Sequence, residues 1–577
     1  MDRIFPVFLL ALLFAQNGIA QTVIKNTNVV DVINRKILSG YDVVTADGKI
    51  ISVEKTKEAK FPEGATMIDG TGKYLIPGLN DAHVHFFQSG SIFTRPDAID
   101  LRKYRAYNTT EVKYVHDNME DFLRRYMAAG ITSVIDVGST YNFLNQRDSF
   151  AHKAYAPKIS MTGALLTTYV PPAFKDLGDD APFIMMKTED SVRQSVRELK
   201  AGKADFIKIW YIVLDGDKER GARKNLPLVQ AVIDEAHKNN MRVAVHATEM
   251  ITAQLAVEAG ADYLVHNVED SIVTPAFLDL LKKKHTVLCP TMVVGGNYRK
   301  SFGHTYSFST DELELDNPMT VGSILQFPEP DTALGNRLIK SMNSARNVKL
   351  LAHGDSVLAI NLKKLYDAGI IIAAGTDAGN IGTQHAGSYF TELKAMQDAG
   401  LSSWDLLVSA TINGAKAIGR QDLTGSVTKG KDADMVLLNA NPLDGLANWR
   451  KIDRVISRGV ALKPAELVFN TPEMLAQQQL NGYNVHDLEA FLAPYDDSTG
   501  IYDLSGKLLV KGKDEMRKRY APAFKIPDLH CRLVNRIVEG NTVVDQEAIT
   551  GAGMKPRGGI VIYKTERGKI VKVYMDR

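Results

Sequence analysis

Two histidines stand one residue apart in "DAHVHF", Asp81 to Phe86. Alternate side chains of an extended segment share a face, so His83 and His85 point the same way. They are either satisfied core histidines or the first two ligands of a metal ion. Further along, apolar runs end on His246 ("RVAVHATE"), His266 ("YLVHNVED") and Asp377 ("IIAAGTDAG"). A lone histidine on a strand is more often structural. Here four of the 13 histidines fall at the ends of strand-like runs, and that coincidence favours a site. Imidazoles with a carboxylate and no thiolate suit zinc, or manganese, cobalt or iron. Lys208, inside the apolar "DFIKIW", needs its own argument. Burial and a neighbouring cation both disfavour an ammonium, so its pKa should fall. A neutral amine can add carbon dioxide to become a carbamate, an anionic two-oxygen ligand. The alternative is a salt-bridged or snorkelling lysine, and the residue alone leaves both open.

These groups need elements to position them. Strand-like stretches run over 78–86, 131–138, 158–166, 205–212, 242–246, 263–266, 286–294 and 370–377. Helical patterns lie between them, among them "EVKYVHDNMEDFLRRYMAAG", "SVRQSVRELKAG", "LPLVQAVIDEAHKNN", "ITAQLAVEAG" and "TPAFLDLLKKK". Many stop on Gly or Asn. Eight strands alternating with helices imply an α/β fold closed into a (β/α)8 TIM barrel, with its site at the C-terminal strand ends. Short β-rich patterns flank this region on both sides, at 22–69 and again at 425–462. After Leu462 comes a different α+β texture, two helical stretches and a closing run of strands.

A chain of 577 residues requires several domains. The formal net charge of +2 gives no reason to propose nucleic acid or an anionic membrane as partner. Cys289 and Cys531 read as unpaired thiols. Residues 1–20 read as a signal peptide, with Arg3, an apolar run from Phe5 to Ala15 and a small-x-small site at Gly18–Ala20. No other stretch reaches about 18 uninterrupted apolar residues. The expectation is a periplasmic or secreted protein with no membrane span after cleavage.

The ordered series "IPGLNDAHVH", "DFIKIW", "EAHKNNMRVAVH", "YLVHNVED", "GTDAG" and "ATINGAKAIG…GSVTKGKDADMVLL" resembles the metal-dependent amidohydrolase superfamily, in its imidazolonepropionase-like and prolidase-like branch, over roughly 22–464. The resemblance implies a barrel at 78–418 and a small β-sandwich from both flanks, 21–77 and 419–464. It implies a binuclear centre. One divalent ion sits on His83, His85 and Asp377, a second on His246 and His266, and carboxylated Lys208 bridges them. A water between two cations loses a proton readily, its pKa falling toward about 7. The hydroxide attacks a polarised carbonyl, and Asp377 takes the proton and hands it to the leaving nitrogen. The expected activity is hydrolysis of an amide or cyclic amide of a small molecule. The alternatives are an Xaa-Pro-type dipeptidase and an inactive binding protein.

Substrate contacts are expected from His385, from Arg95 and from Arg299 and Tyr306. The last two lie in the long stretch 295–331 after the seventh strand, which either overhangs the site or packs on itself. The region 473–577 resembles SnoaL-like domains of the nuclear transport factor two type, through "NGYNVHDLEAFLAPYDD", "KGKDEMRKRYAPAF" and "GKIVKVYMDR". That implies a cone-shaped α+β unit for ligand binding or assembly, and hence a homo-oligomer. His486 and Asp487 are expected to form a turn or helix start. A chain ending near Val468 is expected to keep a complete barrel.

Overall fold

The computed structural model describes residues 21–56, 61, 64–551 and 553–576. The signal-peptide reading of 1–20 lies outside them. The fold is a TIM barrel preceded by β-strands and followed by further strands and helices. Leu79–Val84 pairs in parallel with Ile131–Asp136, and that strand with Lys158–Met161. The third strand is interrupted and resumes as Leu165–Thr167, which pairs with Ile207–Trp210. Val243–His246, Tyr263–Val265 and Val287–Cys289 follow in parallel order. Residues 371–378 join the two ends. Ala373 N donates to Leu288 O on one side, and Ala82 N and Asp377 N donate to Ala374 O and His83 O on the other. This eighth segment makes ladder bonds without regular strand geometry, with isolated bridges only at Ile372 and Ala378. A left-handed φ of 63° at Asp377 ends its extended run.

Alternation decides what faces the barrel interior. Ile135, Ala244, Val287 and Cys289 share one core, while Val134, Val243, Val245 and Leu288 join the outer core under the helices. Ile207 and Ile209 belong to the outer core, so Lys208 between them faces inward. The helical patterns read from the sequence are present as Lys113–Ala128, Glu189–Ala201, Lys218–Lys238, Met250–Ala259 and Pro275–Lys284. The third begins eight residues before "LPLVQ", because Asp217 caps it by accepting from Arg220 N. That first part is polar and shows no apolar period.

The two flanks share one eight-stranded sheet. Met435–Leu438 lies antiparallel to Tyr74–Pro77, and Ala433 N donates to Gly48 O where the sheet curls back on itself. Its inner face buries Ile24, Val43, Leu75, Met435 and Ile456.

The stretch after the seventh strand is helical. Val294–Phe302, Thr310–Leu315 and Pro318–Leu325 precede the helices Thr332–Met342 and Ala345–Asp367. Phe302, Phe308, Val321, Ile324 and Phe327 form a core with Ile92, Ile99 and Leu101 from the loop after the first strand. The excursion therefore packs on itself and on the first loop.

Beyond it, helices Pro472–Asn484 and Leu488–Leu492 pack on a six-stranded sheet. His486 Nε2 donates to Leu529 O, and Asp487 caps the second helix by accepting from Ala490 N. This unit has its own core around Leu475, Phe491, Tyr495 and Val543. It is nonetheless not a free appendage. Met474 to Gly482 are all buried. The helix carrying them also meets Pro318–Leu325, where Asn481 Nδ2 donates to Pro318 O at 2.8 Å.

Candidate metal centre

The six donors read from the sequence line one cavity of about 380 Å³ at the C-terminal ends of the barrel strands. His83 Nε2 and His85 Nε2 lie 3.2 Å apart. Asp377 Oδ1 lies 3.2 Å from the first and 3.0 Å from the second. His266 Nε2 is 4.0 Å from Asp377 Oδ2, and the His246 and His266 rings meet edge to face at 4.4 Å. His85 Nδ1 donates to Gly138 O at 2.8 Å, which leaves its Nε2 as a lone pair aimed at the other donors. Burial pushes His83 and His246 well below the ordinary imidazole pKa, and His266 down to about 4. Neutral imidazole nitrogens crowded around a carboxylate oxygen are acceptors facing an acceptor. A cation among these atoms would turn that repulsion into ligation, so the donor set fits a metal. His83, His266 and Asp377 alone bring three ligand atoms within 4.8 Å of one another.

Backbone strain concentrates here. Strict alternation would send His266 outward with Leu264, but a φ of 79° turns it toward the cavity. Asp377 is held at 63°. Each such non-glycine residue costs on the order of 1–3 kcal/mol and persists because surrounding bonds fix it. Asp81 supplies several of them, accepting from Thr376 N, Thr376 Oγ1 and His83 N. Glu392, pushed up to about 8 by burial, accepts from Met292 N and Val293 N and holds the turn into the excursion. Lys208 is 2 % exposed, and burial pulls its amine down to about 7.

Of the expected substrate contacts, Arg95 lines the cavity. Asp97 grips it through Nε and Nη2, and its Nη1 donates to Asn380 Oδ1 at 2.8 Å. The other three do not line it. His385 is sealed under the site. Its Nε2 donates to Gln88 O, its Nδ1 accepts from Tyr126 OH, and its ring stacks on Phe86. Arg299 turns away to pair with Asp355 at 3.1 Å. Tyr306 spends its hydroxyl on Gly382 O and stacks on Phe308 inside the excursion's own core.

Asn380 is the residue that sequence reasoning missed. Its Nδ2 donates to Asp377 Oδ1 at 2.7 Å, and its Oδ1 accepts from both Arg95 and Tyr298 OH. It ties the cavity wall to the central carboxylate. Its place three residues after Asp377 was the available signal. Glu269, Trp210, Phe183 and Leu358 also line the cavity.

The amidohydrolase family model matches residues 74–462, and a SnoaL-like domain model matches 476–573. The chain belongs to the amidohydrolase family. It is a metal-dependent hydrolase acting on carbon–nitrogen bonds of small molecules. The guanine deaminase of Escherichia coli K12 is 22% identical over 410 residues, covering 67% of this chain and 78% of the relative. An imidazolonepropionase of Streptomyces avermitilis is 24% identical over 405 residues, covering 67% and 77%. Among solved structures, a Xaa-Pro dipeptidase with bound methionine in its active site superposes with a TM-score of 0.57 at 22% identity, covering 77% of this chain and all of that one. At such identity the amidohydrolase is like these proteins in fold.

Proposed function

We propose that this amidohydrolase hydrolyses an amide or cyclic amide at a binuclear centre. The observation that supports it is the convergence of four imidazoles, Asp377 and Lys208 on one cavity. His83, His85 and Asp377 would hold one divalent ion and His246 and His266 the other, with Lys208 in its carbamate form between them. Nitrogen and oxygen donors without thiolate favour zinc. When bound, such ions supply Lewis-acid activation of water and of the scissile carbonyl.

The chain does the rest. Asp377 accepts the proton of the attacking water at its carboxylate and returns it to the leaving nitrogen. Asn380 Nδ2 fixes the orientation of that carboxylate through Oδ1. Phe183, Trp210 and Leu358 keep the apolar part of a substrate against one wall and thin out water around the reacting bond. The interrupted barrel strands and the curled flanking sheet serve as a (β/α)8 barrel and its β-sandwich support. In the same reading the protein is exported, with residues 1–20 as its leader. It assembles with further copies of itself through the C-terminal sheet, where Ile537 is 62% and Ile560 45% exposed.

A second reading, dipeptide hydrolysis, draws on Arg95 and Glu269. They put opposite charges on the wall of one cavity, as an amino acid's two ends require. One panel separates the readings: zinc- or manganese-loaded protein against lactams, hydantoins, N-acyl amino acids and Xaa-Pro dipeptides. Close to two ions per chain are expected, with activity lost on chelation and restored by metal. Full activity with one ion or none defeats the binuclear assignment.

A further inference from the structure

A cavity of about 280 Å³ lies where the excursion meets the C-terminal unit. The excursion brings Lys300 and His304 to it, and the C-terminal unit brings His486 and His530. Lys300 sits on helix Val294–Phe302, and His304 follows that helix. His486 follows helix Pro472–Asn484, and His530 opens the strand His530–Glu539. Ile324 and Leu325 add apolar surface.

No carboxylate lines this cavity among the described residues. Asp487 and Asp528 neighbour its histidines in sequence but do not line it, and Asp487 accepts from Ala490 N and Thr310 Oγ1. Tyr306 lines it and stays neutral, because burial pushes its pKa well above the ordinary phenol value. The side chains of Lys300, His304 and His530 make no hydrogen bond or ion pair with any described residue. The Lys300 ammonium rests 5.7 Å from the centre of the Tyr306 ring. His486 spends Nε2 on Leu529 O, which leaves its Nδ1 for another partner.

Four basic side chains grouped without a counter-charge repel one another whenever they are protonated. The same grouping suits an anion, which gains charge-assisted bonds from donors that meet no competing carboxylate. Burial, and next the neighbours His304, His486 and Arg532, hold His530 below the ordinary imidazole pKa. It is therefore largely neutral above pH 7, and an anion beside it would favour its protonated form.

We propose that this seam is an anion site. It takes a compact dianionic oxyanion, either free or as the phosphoryl group of a small metabolite. Lys300 and His304 hold the anion from the excursion, and His486 and His530 hold it from the C-terminal unit. Binding takes up a proton on the histidines and ties the two units together. Nothing in this assignment depends on the chemistry of the barrel.

The test is calorimetric titration of the metal-loaded full chain with sodium sulfate, a dianion at every pH used, with ionic strength held constant by sodium chloride. One saturable site per chain is expected. Sulfate should bind about tenfold more tightly at about pH 6 than at about pH 8, because the histidines gain their proton as the pH falls. Lys300→Met and His530→Asn should each weaken it about tenfold or more, the worth of a hydrogen bond to a charged group. His530→Asn should also flatten the pH dependence. Inorganic phosphate and glycerol 3-phosphate, compared at about pH 8, separate the two sources. Tighter binding of the ester assigns the site to a phosphorylated metabolite, and equal or weaker binding assigns it to the free oxyanion. Absence of saturation up to about 10 mM sulfate at the lower pH would overturn the proposal. So would affinity independent of pH, or affinity unchanged in both variants, which would put the anion elsewhere, on the barrel's metal ions for example. If His530→Asn fails to fold, Lys300→Met and the pH dependence of the unaltered chain still decide.

Discussion

Asp377 is the residue on which the chemistry turns, and its neighbours explain why it can be. Asp377→Asn keeps an oxygen near His83 and His85 but removes the base, so turnover should drop by about 10²–10⁴ with metal still bound. Near-normal turnover in that variant would remove the proton-transfer role. Asn380→Ala should cost about tenfold in kcat with metal content unchanged, since it deletes one oriented hydrogen bond to Asp377. Metal analysis beside steady-state kinetics separates the two effects. Lys208 carries a chemically sharper expectation. Lys208→Ala should lose activity and one ion, and a short carboxylate such as propionate should restore part of both by entering the vacated space. Lys208→Arg should not be rescued, because a guanidinium stays charged and leaves no space. The six donors were legible in the sequence: His83 and His85 by their spacing, His246, His266 and Asp377 as the ends of apolar runs, and Lys208 as a charge inside one. Asn380 was not, because its importance lies in its side-chain hydrogen bonds, and those join residues as far apart in sequence as Arg95 and Asn380.

At the scale of elements, strand alternation explains Lys208 and His246, and departures from it explain the rest. His266 reaches the site through a left-handed backbone, which no two-residue period foretells. The long stretch after the seventh strand is a set of helices with a core of its own. Its sequence mixes aromatic, acidic and glycine residues without a sustained apolar period, so neither its helices nor the inward burial of Tyr306 could be read from pattern. The second strand shows how tightly an element can set a ligand. Gly138 follows Ile131–Asp136 and receives the His85 Nδ1 bond. A Cβ there would come within 2.6 Å of Leu165 Cδ2 and 3.0 Å of His85 Cε1. Gly138→Ala should therefore tilt the imidazole and lower metal affinity by about 10–100-fold, the usual penalty for disturbing a ligand's supporting contact. Competitive chelator titration measures this directly, and unchanged affinity would show that Leu165 and His85 adjust freely.

For the whole molecule the question is whether catalytic and C-terminal units are separable. The sequence suggests that they are, since each has a complete pattern of elements. The structure opposes this at one surface. Helix Pro472–Asn484 packs on its own sheet and also against Pro318–Leu325, so close that a Cβ at Gly322 would lie 2.4 Å from Gln477 Nε2. Arg125, fully buried, donates to Leu315 O, Asp316 O and Asn470 Oδ1, and so binds a barrel helix, the excursion and the interdomain segment together. Ending the chain at Val468 removes Asn470 and takes Ala490 and Val485 away from the excursion's core. The buried guanidinium loses one of its acceptors, and an apolar helix face is left to water. The same excursion carries Tyr298, which bonds to Asn380 beside Asp377. The truncated protein should therefore melt several degrees lower or aggregate, and whatever stays soluble should show a raised KM. Thermal melts and steady-state kinetics on both lengths of chain measure this. Identical melting temperature and KM would mean that the interface only attaches the C-terminal unit and does not support the site.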